Sequence, residues 1–306
     1  MHKLIYWGTP LFAVPALQAL IDAGLVTAVV TQPGKPHGRG RTTIEPSPVQ
    51  VVAEQAHIPI LAPLTLKETA FRAALEQLLP ATFMVVAYGK IIPEDILALS
   101  ELPAINIHPS LLPLYRGLSP IQSVLAAGET QTALTLMALD VAMDHGPILA
   151  QKKVSIVPTD TFVSLSDKLR FTAEQFVMKY VPLYLAGELK PVTQDHNRAT
   201  YCKKVTPEDG MLDFTQTVTV CNNKIRAYNP WPGAYCIQKG KRIKIISATP
   251  HAGRIPYEGS FGTLADGHLG ISCSDGYLNI MTVQQEGKQA MNSADFLRGN
   301  SRLFGW

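Results

Sequence analysis

Lys3-Leu4-Ile5-Tyr6-Trp7-Gly8-Thr9-Pro10 joins a short apolar run to a turn near the start of the chain. Residues 3–7 are typical of a buried strand, and we expect a helix after the turn, with Thr9 as its cap and Pro10 at its first position. Further apolar strands are predicted at 26–30, 83–87, 105–108 and 134–139, with helices near 48–56 and over 161–185. Apolar strands that alternate with helices predict an α/β fold with a parallel sheet covered on both faces.

From about residue 207 onward the pattern changes to short strands. One helix is predicted over 217–228, and tight turns are indicated at Lys239-Gly240, Asp266-Gly267 and Asp275-Gly276. The short strands are predicted at 235–238, 242–247, 262–264, 269–273 and 277–283. Such a set fits a small OB-like β-barrel, a type that binds oligonucleotides. We therefore expect a first domain over 1–189, a linker over 190–206 and a second domain over 207–306.

The composition is that of a soluble globular protein, with 306 residues of which 46% are hydrophobic and 17% are charged. This length favours two domains. No stretch approaches the roughly 18 apolar residues that cross a membrane, and the first residues do not resemble a signal peptide, so we expect no membrane contact and a cytoplasmic location. The four cysteines and eight histidines show no metal-ligand spacing, which predicts a protein without a metal.

Positive charge is concentrated in one part of the chain. The net charge is +3, but residues 198–254 contain ten basic and three acidic side chains. This excess is large enough to attract a polyanion, although it is equally compatible with a solvated surface. The loop over 31–41 is also basic and rich in glycine and proline. It is either a flexible surface connection or an arm that orders when phosphates or bases arrive.

Polar side chains interrupt the predicted strand at 105–108. Asn106 and His108 share one face of it, because side chains alternate along a strand. An amide and an imidazole in this position suit the task of holding a carbonyl oxygen while its carbon is attacked. Asp144, in the loop after the strand at 134–139, is the candidate carboxylate, because strand ends in a parallel sheet converge on one crevice. A structural Asn-x-His pair and an ordinary turn at Asp144 are the alternative.

These residues belong to motifs that resemble the methionyl-tRNA formyltransferase family nearly end to end. The string Asn-x-His-x-Ser-Leu-Leu-Pro-x-x-Arg-Gly over 106–117 resembles enzymes that transfer formyl from 10-formyltetrahydrofolate. Gly38-Arg39-Gly40 and Asn229-Pro230-Trp231-Pro232 narrow the resemblance to the tRNA enzymes. Other motifs that carry it are Gly8-Thr9-Pro10, Thr31-Gln32-Pro33, Pro46-Ser47-Pro48-Val49, Val85-Val86-Ala87-Tyr88-Gly89 and Asp144-x-Gly146.

The resemblance implies a Rossmann-like parallel sheet domain followed by a small OB-like β-barrel domain that helps to hold initiator methionyl-tRNA. It implies Asn106, His108 and Asp144 as catalytic residues and 10-formyltetrahydrofolate as co-substrate. The residues expected at the folate are Ser110, Leu111, Leu112, Pro113, Val86, Ala87, Tyr88 and Gly89. Together with the charge pattern, it gives as residues expected at the tRNA Lys35, Arg39, Arg41, Lys203, Lys204, Arg226, Lys241, Arg242 and Lys244. A monomer is expected.

Three departures from the family pattern concern the folate entrance and the hydrogen bonds of Asp144. Leu11 replaces an acidic residue, Leu118-Ser119 replaces two alanines, and His145 replaces a threonine. The nearest alternative is a sugar-nucleotide or ribonucleotide formyltransferase with the same donor. A dinucleotide-dependent oxidoreductase is disfavoured because Gly8 is the only glycine of its turn. A nucleic-acid-binding protein with an inert first domain would leave the Asn106, His108 and Asp144 set unexplained.

Overall fold

The structure is a computed structural model that describes residues 2–37, 43–254, 260–300 and 303. Arg39 and Arg41, which were expected at the tRNA, lie outside the described residues. The chain divides into two compact units, each built from several segments. The first unit comprises Met1–Gly117, Gln131–Val154 and Ser166–Tyr201, and the second comprises Leu118–Thr130, Ser155–Leu165 and Cys202–Trp306. The predicted domain boundaries at 189 and 207 stay predictions.

A seven-stranded sheet forms the centre of the first unit, in the order β10-β9-β7-β6-β1-β2-β5. Its strands are β1 (Leu4–Gly8), β2 (Val26–Val30), β5 (Ile60–Leu61), β6 (Thr82–Val86), β7 (Ile105–His108), β9 (Gln131–Ala138) and β10 (Ile148–Ser155). Short strands outside this sheet are β3 (Lys35–His37), β4 (Thr43–Glu45), β8 (Arg116–Gly117) and β11 (Tyr201–Cys202). The helices up to residue 185 are α1 (Val14–Asp22), α2 (Pro48–Gln55), α3 (Thr69–Glu76), α4 (Glu94–Leu97), α5 (Pro120–Ala126) and α6 (Phe162–Leu185).

The sheet is mostly parallel, which confirms the predicted Rossmann-like class. Strand β1 runs parallel to β2 and β6, and β6 runs parallel to β7. Strand β9 is the exception, because it runs antiparallel to β7 and pairs His108 with Thr135. The carboxyl end of β9 therefore lies beside the amino end of β7. The expectation that parallel strand ends bring Asp144 to the site was wrong, and another feature of the loop must do so.

The first turn also differs from the prediction in one detail. A 3₁₀ turn over Leu11–Ala13 comes before α1, and Thr9 does not cap it. The Thr9 hydroxyl donates instead to the carbonyl of Tyr88 at 2.9 Å. Thr9 thus ties the first strand-to-helix turn to the turn that follows β6.

Aromatic packing supports the sheet on one face. The Trp7 ring meets Phe71, Phe83 and Tyr88 with centroids 5.3 to 6.0 Å apart, in tilted or edge-on arrangements. All residues of β1 and β6 are buried, as expected for central strands covered on both faces. Burial raises the pKa of Tyr88 to about 12. The phenol therefore stays neutral and acts as part of this core.

The second unit contains the antiparallel sheet that the hairpin turns predicted. Strand order is β12-β13-β16-β15-β14, and β17 pairs with β16. The strands are β12 (Tyr235–Gln238), β13 (Lys241–Ala252), β14 (Phe261–Thr263), β15 (Leu269–Ser272), β16 (Gly276–Gln285) and β17 (Met291–Asn292), and the helices are α7 (Val218–Tyr228) and α8 (Ser293–Asn300). Strand β13 is longer than expected and has register shifts beside Ser247. Such bulges increase the curvature of a sheet, in keeping with the OB-like class.

Two segments from the middle of the chain pack within this second unit. Helix α5 lies against α7, where a Cβ on Gly128 would come within 2.6 Å of the Asn223 amide. The Arg226 guanidinium on α7 donates to the carbonyl of Asp160 at 2.8 Å and to the side chain of Asn223 at 2.7 Å. The segment 155–165 is therefore fixed to α7 by a partly buried cation.

Candidate active site

The site begins on β7, where the sequence pattern predicted it. Ile105 and Ile107 are buried in the core, His108 is also buried, and Asn106 keeps partial exposure. Within the part of the chain that the structure describes, no hydrogen-bond partner contacts the Asn106 side chain. An amide that faces solvent without an internal partner is available to a ligand.

His108 has an acceptor at each ring nitrogen. Its Nε2 lies 2.9 Å from the carbonyl oxygen of Tyr115, and its Nδ1 lies 3.5 Å from Asp144 Oδ1. A carbonyl only accepts, so Nε2 carries a hydrogen and donates it. The Nδ1 atom faces a carboxylate at a distance longer than a strong hydrogen bond. An imidazolium satisfies both neighbours, and its Nδ1–H keeps capacity for a second acceptor.

Asp144 is held in place by the backbone around it. Its Oδ2 accepts the N–H of Gly117 at 2.8 Å, and its own backbone lies in the left-handed region with φ of 51°. Two residues later, a Cβ on Gly146 would come within 2.0 Å of the carbonyl oxygen of Ala138. Only glycine permits this close approach. The loop after β9 therefore folds back on its strand, and this fold-back replaces the parallel convergence that the sequence suggested.

The segment after β7 is fixed by polar contacts to β9 and β10. The Ser110 hydroxyl donates to the carbonyl of Leu114 at 2.6 Å, and the Thr135 hydroxyl donates to the carbonyl of Ser110 at 2.7 Å. Gln151 donates to the carbonyl of Leu112 at 2.9 Å. Leu112 is buried, while Leu111 and Pro113 are partly exposed. The expected folate residues here thus form a segment held by hydrogen bonds, with Leu111 and Pro113 partly exposed at the surface of the unit.

The turn after β6 holds the other expected folate residues. Val86 and Tyr88 are buried, but Ala87 and Gly89 are exposed and have φ of 50° and 85°. The Tyr88 carbonyl accepts from the Gln32 side chain at 2.7 Å. A non-glycine residue in the left-handed region stores strain and is enriched at functional sites. Backbone groups at Ala87 and Gly89 are therefore exposed on a fixed turn.

The basic residues expected at the tRNA fall into separate groups. Lys203, Lys204 and Lys241 are exposed. The Arg242 guanidinium stacks 3.7 Å from the Tyr235 ring centroid, and with Lys244 it lines a cleft that continues along residues 284–287. Lys35 is exposed on β3, which belongs to the first unit.

Arg226 differs from these lysines and arginines because its guanidinium already serves the contacts to Asp160 and Asn223. Burial lowers the pKa of its guanidinium, and the nearby Asp160 opposes that change. Its expected tRNA contact stays a prediction.

Sequence reasoning missed Tyr115, Gly117 and Gln194 as partners of the site. Tyr115 and Gly117 lie within the quoted motif, but nothing in the sequence says that their backbone groups would face His108 and Asp144. Gln194 donates to the carbonyl of Asp144 at 2.9 Å from a segment that was predicted to be a linker. No sequence signal pointed to it.

Metal-binding clusters and long apolar helices are absent from the described residues. Among them, no cluster of three or more His, Cys, Asp or Glu side chains is arranged to hold a metal ion. Within the same residues, no helix is long and apolar enough to cross a bilayer.

Two family models match the chain. The model described as Formyl transferase matches residues 3–181, and the model described as Formyl transferase, C-terminal domain, matches residues 204–301. Among curated proteins, the chain is 40% identical to a methionyl-tRNA formyltransferase of Myxococcus xanthus over 97% of this chain and 95% of that protein. It is 39% identical to the methionyl-tRNA formyltransferase of Thermus thermophilus over 97% of this chain and 96% of that protein.

Solved structures with the same fold include an N-formyltransferase from Helicobacter canadensis in complex with folinic acid and dTDP-3-aminofucose. It is 21% identical, has a TM-score of 0.70, and covers 93% of this chain and 100% of its own. A methionyl-tRNA formyltransferase from Clostridium thermocellum is 15% identical, with a TM-score of 0.57 and coverage of 92% and 99%. At these identities the likeness establishes the fold alone.

Proposed function

Because the chain belongs to the methionyl-tRNA formyltransferase family and formylates the α-amino group of initiator methionyl-tRNA, we propose that its formyl donor is 10-formyltetrahydrofolate and that Asn106, His108 and Asp144 carry out the transfer. The observation that carries this proposal is the His108–Asp144 pair beside the unpartnered Asn106 amide on one face of β7. We also propose that the enzyme works in the cytoplasm as a monomer.

The reaction forms a bond between the methionine nitrogen and the formyl carbon and breaks the bond from that carbon to N10 of the folate. The attacking amine must be neutral, and an α-amino group has a pKa of about 7.7 to 8.0 before the ester lowers it. Much of it is therefore ready at neutral pH. The larger demand is on charge, because the formyl oxygen becomes negative as the tetrahedral intermediate forms.

In our proposal the Asn106 amide and the Nδ1–H of His108 donate to that oxygen. Asp144 lies on the Nδ1 side at 3.5 Å, so its carboxylate faces the Nδ1–H and orients that side of the ring. The bond from Nε2 to the Tyr115 carbonyl fixes the ring plane. A water bound at Asp144 relays the proton from the amine to the departing N10, so that atoms and charge balance.

The folate is proposed to bind between the segment after β7 and the turn after β6. Leu111 and Pro113 offer partly exposed apolar surface, and the buried Leu112 and Ser110 support it from beneath, with the Ser110 hydroxyl donating to the carbonyl of Leu114. The turn after β6 begins at the buried Val86 and includes the buried Tyr88, while its backbone is exposed at Ala87 and Gly89. Exposed backbone groups on a fixed turn suit hydrogen bonds to a pterin ring.

The tRNA is proposed to bind through phosphates to basic residues of the second unit. Exposed lysines and the cleft beside Arg242 and Lys244 support this, because backbone phosphates are recognised by charge rather than by sequence. The proposed groups there are Lys203, Lys204, Arg226, Lys241, Arg242 and Lys244. Lys35, Arg39 and Arg41 are proposed to approach the acceptor end of the tRNA.

Affinity for initiator tRNA is expected to fall steeply with salt, because phosphate contacts release counterions. In the double variant Lys203→Ala and Lys204→Ala, the slope of log affinity against log salt should become shallower by about 1 to 2. Filter binding or fluorescence anisotropy at several salt concentrations measures this slope.

The matched control replaces Lys152 and Lys153 by alanine, which removes the same charge from exposed positions of β10 outside the basic segment. Its slope should equal that of the unchanged protein. A flat salt dependence in the unchanged protein would mean that the basic segment is a solvated surface only.

The test of the proposed function is formyl transfer measured with two acceptors. The protein is incubated with 10-formyltetrahydrofolate and either methionyl-initiator tRNA or an amino-sugar nucleotide, and the products are resolved by mass. Formylmethionyl-tRNA is the expected product. Failure to form formylmethionyl-tRNA from this donor would overturn the proposal, and formylation of the sugar nucleotide as well would show that the site also accepts a smaller amine.

A further inference from the structure

Gln194 contacts the backbone of the Asp144 loop at two points. Its Nε2 donates to the carbonyl of Asp144 at 2.9 Å and to the carbonyl of Gly146 at 2.7 Å. The side chain is only 3% exposed, so both hydrogens of the amide are used inside the protein. From these contacts we propose that Gln194 is a positioning residue that sets the place of the Asp144 carboxylate against His108, an inference that rests on the proposed function.

The orientation of the Gln194 amide is dictated by a buried cation. Arg116 donates to Gln194 Oε1 through Nε at 3.1 Å and through Nη2 at 2.6 Å. A guanidinium has no acceptor, so the amide oxygen must face it and the NH₂ group must face the loop. Arg116 itself is 1% exposed. The Gln194 amide can therefore adopt only one orientation.

A second contact links the same two segments. The ring of His145 stacks on the ring of His196 with centroids 4.0 Å apart and planes 3° apart. His196 Nδ1 accepts from Arg116 Nη2 at 3.0 Å, and His145 donates to Asp140 at 2.6 Å. His145 is one of the residues that depart from the family pattern, and it lies directly after Asp144. The stacking of His145 on His196 adds to the contacts that hold the Asp144 loop, and it does not involve the reacting atoms.

Asp144 needs these supporting contacts for two reasons. Its backbone has φ of 51°, a conformation that persists only when surrounding contacts hold it. Its carboxylate lies 3.5 Å from His108 Nδ1, so a small movement decides whether the two groups meet directly or through a water. Because the Gly117 N–H fixes only the carboxylate, the carbonyl contacts of Gln194 are what fix the backbone behind it.

The test compares Gln194→Met, which keeps the length of the side chain, and Gln194→Glu, which keeps the oxygen facing Arg116, with a matched control. Tyr184→Phe is that control, because it also removes a buried donor to a backbone carbonyl of the first unit, that of Pro103 at 2.6 Å. We expect both Gln194 variants to lower kcat by about 10-fold to 100-fold, the effect of a misplaced catalytic group. Their KM for 10-formyltetrahydrofolate should stay near that of the unchanged protein, and Tyr184→Phe should keep its kcat.

A second readout does not depend on activity. The ¹⁵N imidazole resonances of His108, assigned by their loss in His108→Gln, report what faces Nδ1. We expect the Gln194 variants to move the Nδ1 resonance in the direction set by Asp144→Asn, and Tyr184→Phe to leave it in place. Unchanged resonances in both Gln194 variants, or a kcat equal to that of Tyr184→Phe, would overturn the positioning role. A protein that formylates no tRNA but shows these shifts would fail the proposed function and not this inference.

Discussion

Replacing Asn106 with alanine is expected to lower kcat by about 100-fold to 1000-fold, the usual effect of removing one donor from an oxyanion site. The amide has no partner among the described residues, so its loss leaves no buried group unpaired. The free energy of unfolding should therefore change by less than about 1 kcal/mol. Affinity for the folate should also change little, because the interaction forms as charge develops on the formyl oxygen. Single-turnover kinetics, titration with folate and denaturant unfolding measure the three quantities.

Asn106→Asp provides the comparison for this variant. It keeps the size of the side chain and replaces the donor by a negative acceptor, so it should lose at least as much turnover as Asn106→Ala. If Asn106→Ala kept full turnover while remaining folded, Asn106 would have a structural role and the oxyanion proposal would fail.

Replacing Asp144 with asparagine is expected to lower kcat/KM by about 100-fold to 10 000-fold, the range for loss of a positioned proton-transfer group. The amide oxygen can still accept the Gly117 N–H, so the loop keeps its position. What is lost is the negative charge facing His108 Nδ1, and with it the carboxylate of the proposed water relay. Steady-state kinetics give the change, and the His108 resonances show whether the ring loses its proton.

Asp95→Asn is the matched control, because Asp95 is a carboxylate of the same unit in a surface ion pair with Arg72 at 2.7 Å. Its kcat/KM should equal that of the unchanged protein. An Asp144→Asn enzyme that kept its activity would show that the carboxylate has no part in the chemistry, whatever the role of its loop.

The β7 part of the site could be predicted because it depends on local alternation. In a strand whose other face is buried, Asn106 and His108 must share a face, and the structure bears this out. Asp144 was expected at the site for the wrong reason. The reversal of β9 depends on pairing with β7, and the fold-back of the loop depends on the space beside Ala138, so neither is encoded within a short window of sequence.

The second unit also has features that the sequence could predict and features that it could not. Glycine-containing turns such as Lys239-Gly240 predicted its hairpins, because a two-residue hairpin turn requires left-handed φ values that glycine adopts readily. The role of Arg226 could not be predicted, because a basic side chain in a basic segment gives no sign that it will donate to the carbonyl of Asp160. Gln194 is a similar case, since its partners lie about 50 residues earlier in the chain.

The placement of α5 has a consequence for attempts to divide the protein. Its buried residues Pro120, Ile121, Val124 and Leu125 precede β9 in the chain, yet the helix packs on α7, which is made much later. A gene fragment that stops at residue 201 therefore encodes α5 without its packing partner. The apolar side of α5 would then be exposed to solvent and would promote aggregation. A split version of this enzyme should be soluble only when both halves are synthesised together, and a ribosome making it must finish most of the chain before α5 is covered.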